Sequence, residues 1–227
     1  MRRTHFRRGV SSVEFAFSTL VLVPLLLGVG AIGINLIRTL ETAQLARDAG
    51  HMFARGVDFS KDGNKTVLTT LGSNLRLTTN STTSTAVVVL SALTYVDINA
   101  CKDVGAVDAG GNPSGCTNFG KWVFTQRLTI GNPSVRGSNY GSPITSGLGT
   151  NNVTVDSTTG KILESDYVKK GGAVATFTGI NPYAKDVDGN VSGLPSGQVL
   201  YLAEAGALGF NMKPFVSNAA TYSYGLF

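Results

Sequence analysis

The 227-residue chain is poor in charge, in histidine and in cysteine. Charged residues make up 15%, against roughly 25% in an average soluble protein. That shortage excludes an acidic tail, a coiled coil and charge-driven disorder. Two His and two Cys are too few for a conventional hydrolase. No nucleophile, base and orienting group gather along the chain, so an enzyme is not expected. Acids are absent before Glu14, whereas Arg2, Arg3, Arg7 and Arg8 crowd the first nine residues beside His5. The formal net charge of +5, taken alone, points to nucleic acid or anionic lipid. Beyond the leader, however, the basic residues are scattered and form no basic-aromatic face, which disfavours nucleic acid. The length suits one ordinary domain with an appendage.

A long apolar run is present. Residues 15–37, FAFSTLVLVPLLLGVGAIGINLI, are 23 residues without a charge. A hydrocarbon core about 30 Å thick needs roughly 20 apolar helical residues, so this run spans a bilayer with some tilt. Its basic flank stays cytoplasmic, and residues 38–227 then lie outside the inner membrane. Pro24, Gly28, Gly30, Ala31 and Gly33 sit inside the run. They weaken a helix in water, but are tolerated in lipid, where small residues let helices approach. The glycines do not form GxxxG. Asn35, near the outer end, either bonds a neighbour or reaches interfacial water, and water is the expected partner.

At the head of the run stands Gly9-Val10-Ser11-Ser12-Val13-Glu14. A glycine closes a basic leader and a carboxylate follows five residues later. The pattern resembles the G-x-x-x-x-E signal of type IV pilin-like proteins. The resemblance implies cleavage after Gly9 by a membrane prepilin peptidase, with Val10 as the new N-terminus. A Glu costs roughly 2.5–3.5 kcal/mol at a bilayer centre and less near the interface. The positive end of the helix offsets part of that cost. The resemblance implies a further partner, the α-amine of a neighbouring subunit. Two other readings fit the same residues. Ser11-x-x-Glu14 is also a capping box. An ordinary secretory signal would cut at Ala31, but its apolar core is 7–15 residues long and would not continue past the cut.

Residues 38–56, RTLETAQLARDAGHMFARG, are rich in helix formers. Leu45, Ala49, Met52 and Phe53 follow i, i+4, i+7, i+8, one apolar face. Gly56 is a stop. One helix from Val10 to Arg55 is about 69 Å long. His51 has no His or Cys nearby and reads as a helix surface or packing residue. Across residues 2–56 the chain is similar to TadE-like minor pilin-like proteins. Val13-Glu14-Phe15-Ala16, Pro24-Leu25-Leu26-Leu27, Arg38-Thr39-Leu40 and Ala46-Arg47-Asp48-Ala49 carry the likeness in order. The chain departs from that pattern at Asn35, where many members carry an acid nearby, and at His51-Met52. The resemblance implies assembly through Glu14, Phe15 and Pro24, with other pilin-like subunits and a pilus assembly platform as partners.

Beyond residue 57 the text becomes mixed. Val67, Leu68, Leu71 and Leu75 predict a helix over residues 65–77. Residues 86–96 and 121–130 read as strands, 131–150 as loop, and 171–178 and 198–202 as shorter strands, before residues 219–227. Cys101 and Cys116 lie between the first two strands. In an oxidising compartment a disulfide is expected in preference to two free thiols, and C-x14-C lacks zinc spacing. Residues 186–190, DVDGN, lack the later ligands of a calcium loop and read as a turn. No metal site and no cofactor are expected.

The expectation is an α+β chain: a leader over 1–9, a transmembrane and spine helix over 10–56, and a periplasmic domain over 57–227 with a small antiparallel sheet. Membrane lipid surrounds the helix, and the product is a bacterial inner-membrane protein, single-pass, able to enter a pilus. The rival reading is an unprocessed, signal-anchored envelope binding or adhesin domain, in which Glu14 only caps a helix.

Overall fold

The computed structural model describes residues 7–147, 149–177, 197–211 and 219–227. Its first element is α1, Arg7–Ala54, an unbroken helix of 48 residues, about 72 Å long at 1.5 Å per residue. Pro24 lies inside it and offers no N–H to the preceding turn. Exposure divides the helix in two. Residues 12–30 hold no buried residue, and Phe15 (71% exposed) and Leu20 (70%) are typical of them. Buried positions then recur at 31, 42, 45, 46, 49, 50 and 53, with Asn35 and Arg38 half-buried between the first two, close to the spacing of one helix face.

That face packs on a four-stranded antiparallel sheet of order β2-β1-β3-β4. The strands are β1, Ala86–Tyr95, β2, Trp122–Gly131, β3, Val199–Leu208, and β4, Ala220–Leu226. Strand alternation turns Val88 and Leu90 of β1, and Ala203, Ala205 and Ala207 of β3, into one core with Leu45, Ala46, Ala49 and Phe53. The alanines keep this side of the sheet shallow, so the helix approaches closely.

A β-bulge opposite Ala92 and Leu93 breaks the β1–β2 register, with Ala92 facing Gln126 and Leu93 facing Phe124. The extra residue, Thr125, reverses the side on which β2 presents its chains. Leu128 and Ile130 therefore join the helix core, while Trp122 and Phe124 join a second one with Leu93, Val96, Val168 and Leu202. Simple alternation along β2 would have placed all four apolar residues on one side.

Shorter elements cover the sheet. Helix α2, Asp62–Leu71, ends where Gly72 turns the chain, earlier than the expected 65–77. A Cβ at Gly72 would lie 2.8 Å from the Leu77 side chain and 3.2 Å from Leu45. A 3-10 turn, Ser73–Leu75, follows directly, and Leu75 and Leu77 are buried. Helix α3, Ile98–Asp103, is capped by Asp97, which accepts from the Ala100 N–H at 2.9 Å. Helix α4, Glu164–Lys169, falls in a stretch with no helical expectation. Residues 171–177 are not the expected strand. A 3-10 turn, Gly171–Ala173, is followed by one bridge between Val174 and Val123. Ala175 N–H donates to the Trp122 carbonyl at 3.0 Å, so the segment touches β2 at one end without forming a ladder. Strand β3 runs well past the expected 202 because Ala203, Gly206 and their neighbours carry little strand propensity yet pair fully with β1. The turn expected at 186–190 and residue 178 lie outside the described residues.

Candidate assembly helix and its docking face

The exposed half of α1 carries the residues singled out in the sequence. Gly9 and Val10 fall in the first turns of α1, and Glu14 follows two turns in, solvent-exposed. Because the helix already exists at Arg7, Ser11 stands inside it and is not an N-cap. The capping-box reading of Glu14 therefore does not hold in the full-length chain. Phe15 is exposed, and Cβ atoms built on Gly28, Gly30 and Gly33 would meet open space. The described helix is long and apolar enough to cross a membrane.

The docked half is held by polar contacts as well as by the core. Asn35 accepts from the Phe210 N–H at 2.7 Å and donates to the Phe210 carbonyl at 3.4 Å and to Ala31 at 3.1 Å. Its partner is therefore the backbone at the end of β3, not water. Arg38 donates to the Leu208 carbonyl at 2.6 Å, and the Thr42 and Thr221 hydroxyls meet at 2.9 Å. Higher up, Phe53 meets Tyr201 edge-on at 5.2 Å, and His51 meets Phe227 at 4.6 Å. Strand β3 thus runs down the helix towards the apolar half. A groove of about 520 Å³ lies between Leu40, Gln44, Arg47 and His51 on α1 and Gly225 of β4 with Phe227 just after it.

Cys101 and Cys116 form a disulfide with Cα atoms 5.7 Å apart, and both are buried in the second core. Nearby, Asn118 donates to the carbonyls of Tyr167 and Lys170 at 2.8 and 2.7 Å, which ties the disulfide loop to α4. Asp166 accepts from Thr154 N–H at 2.7 Å and pairs with Lys170 at 2.8 Å. Burial raises its pKa, but the Lys170 and Thr154 hydrogen bonds outweigh that and hold the carboxyl below its ordinary value.

One buried acid escaped the sequence reading. Glu204, 2% exposed, lies on the sheet face opposite α1. Its Oε1 accepts from Tyr222 Oη at 2.6 Å and Asn139 N–H at 3.2 Å, and its Oε2 from Ser138 Oγ at 2.7 Å. Burial, and then the Glu204 hydrogen bond and charge, push the Tyr222 phenol far up. Burial and a hydrogen bond with Tyr224 raise Tyr140 to about 12. Burial lowers Arg127, opposed by the charges of Glu204 and Tyr222. The adjoining cavity holds only about 10 Å³, about the least that admits a single water molecule. This network closes the loop after β2 onto the sheet and leaves no room for a substrate. The one available signal was a lone Glu within the alanine-rich YLAEAGAL.

Among the described residues no three His, Cys, Asp or Glu side chains converge on a metal position. No family model, no curated protein and no solved structure matches the chain.

Proposed function

We propose that the chain is a pilin-like, membrane-anchored subunit, similar to TadE-like minor pilins, that acts in assembly of a tight-adherence pilus or a related secretion apparatus. The observation that carries this reading is one continuous helix with two different surfaces. Residues 15–30 are uncharged and hold no buried residue, and the second half is the spine of a small antiparallel sheet. A soluble helix apolar all round would be buried. Here the bare half needs lipid in the resident protein and neighbouring helices in an assembly. After cleavage behind Gly9, Glu14 would meet the amine of an adjacent Val10, so that each added subunit is held in register. The leader holds four of the positive charges, and its loss takes the formal net charge from +5 to +1. The basic balance then acts as a topology signal.

Mass spectrometry of the intact protein purified from membranes tests the reading. An N-terminus at Val10, absent when Gly9 is replaced by a bulky residue, is the expected result. A retained Met1 or Arg2 end would leave an unprocessed, signal-anchored binding domain instead. Glu14→Ala is expected to insert normally and assemble poorly, and normal assembly would sink the amine-pairing mechanism.

A further inference from the structure

The docked stripe on α1 begins inside the charge-free run. From residue 12 onward Ala31, 1% exposed, is the first buried residue, and Asn35 already holds the backbone of Phe210, yet the run continues to Ile37. From Phe15 to Ala31 the helix rises only about 24 Å, short of the roughly 30 Å of a hydrocarbon core. If the sheet stood wholly above the lipid, the core would have to reach back to about residue 11 and take in Glu14. If the lipid instead reaches Ile37, the core covers about residues 18–37, and Glu14 lies roughly 6 Å outside it on the cytoplasmic side.

Three observations favour the second arrangement. On the turns beside the docked face, Ile32, Leu36 and Ile37 are well exposed. The groove at the foot of the sheet, about 510 Å³, is lined by Ile32, Asn35, Leu36, Thr39, Ala219 and Ala220, with no charged residue among the described lining. Much of the described backbone there has a partner within the chain: Phe210 with Asn35, Gly209 N–H with the Ala219 carbonyl at 3.0 Å, and the Leu208 carbonyl with Arg38. Backbone that enters lipid must be satisfied internally. Arg38, the first charge after the run, stands at the level where a cation reaches phosphate.

From this geometry we infer that the foot of the sheet, Gly209, Phe210, Ala219 and Ala220, is seated in the outer-leaflet interface. Phospholipid of the surrounding bilayer fills the groove beside Ile32 and Leu36. The inference rests on the membrane-anchor part of the proposed function, and the test separates the two. Full-length protein is reconstituted in phosphatidylcholine–phosphatidylglycerol vesicles. Single cysteines replace Leu22, Ala219 and Ser157, each carrying a nitroxide, and collisions with oxygen and with a water-soluble nickel chelate are measured by electron paramagnetic resonance. The Ala219→Cys label is expected to resemble the Leu22→Cys label, rich in oxygen and shielded from nickel. Its oxygen-to-nickel ratio should be several-fold above that of the exposed Ser157→Cys control. A lipid-embedded Leu22→Cys label with an Ala219→Cys label as open to nickel as the control overturns the seated foot and leaves the anchor standing. A water-exposed Leu22→Cys label overturns both. Shielding of the Ala219→Cys label from both reagents, with spin–spin broadening, would show a second copy in the groove and also overturn the inference.

Discussion

Gly50 is the one position on the buried stripe of α1 where adding a methyl group should change sign with its neighbour. An Ala in an exposed helix is worth about 0.5–1 kcal/mol over Gly. At Gly50 the added Cβ would lie 2.6 Å from both Cδ2 and Cζ of Phe227, so the ring has to leave. That ring is half-buried against the helix core and stacks edge-on with His51 at 4.6 Å. Full burial of a Phe side chain is worth about 1.5–3 kcal/mol, so a half-buried ring loses roughly 1–1.5. An aromatic pair adds about 0.5 kcal/mol at the weak end of its range. Gly50→Ala should therefore destabilise the protein by about 1 kcal/mol net of the helix gain. In a Phe227→Ala background the ring is gone, and the same change should stabilise by about 0.5–1 kcal/mol. The coupling between the two sites is then about 1.5–2 kcal/mol. The four proteins of the cycle, in detergent, are unfolded with urea and followed by the fluorescence of Trp122, which sits in the second core. Equal shifts of Gly50→Ala in the two backgrounds would refute the packing of Phe227 on Gly50.

Two further outcomes are expected. Replacing Cys101 and Cys116 with Ser, which opens a ring across a sequence separation of 15, should cost about 3 kcal/mol, and the unreduced, denatured wild type should show no free thiol from this pair. Asp166 has a folded pKa below its unfolded value. Its contribution is therefore present above about pH 4 and is lost as pH falls through the lower folded value. The urea midpoint of the wild type should drop on acidification through that range more than that of Asp166→Asn, and parallel profiles would disprove the role given to Lys170 and Thr154.

The legible parts of the fold were those whose cause is local. The apolar run and the helix formers after it read as one helix, and α1 is one helix. The β-branched stretch at 86–96 and the aromatic alternation at 121–130 coincide with β1 and β2. Two cysteines on one loop paired. The illegible parts depended on a partner distant in sequence. Asn35, Arg38 and Thr42 carry no apolar signal, yet they extend the docked stripe nearly three turns below Leu45 because their side chains meet the backbone of Phe210 and Leu208 and the Thr221 hydroxyl. Residues 171–177 have strand-like composition, but only Val174 and Ala175 meet the open edge of β2.

The apolar length of α1, its basic flank and the Gly9-to-Glu14 spacing are properties of the sequence itself, because helix propensity, hydropathy and residue spacing each depend on residues close together in the chain. Strand order, the bulge that splits β2 between two cores, the burial of Glu204 and the level at which the sheet meets the helix were decided only in three dimensions. Each depends on which backbone groups and cavities approach from far along the chain, and periodicity carries no record of that approach.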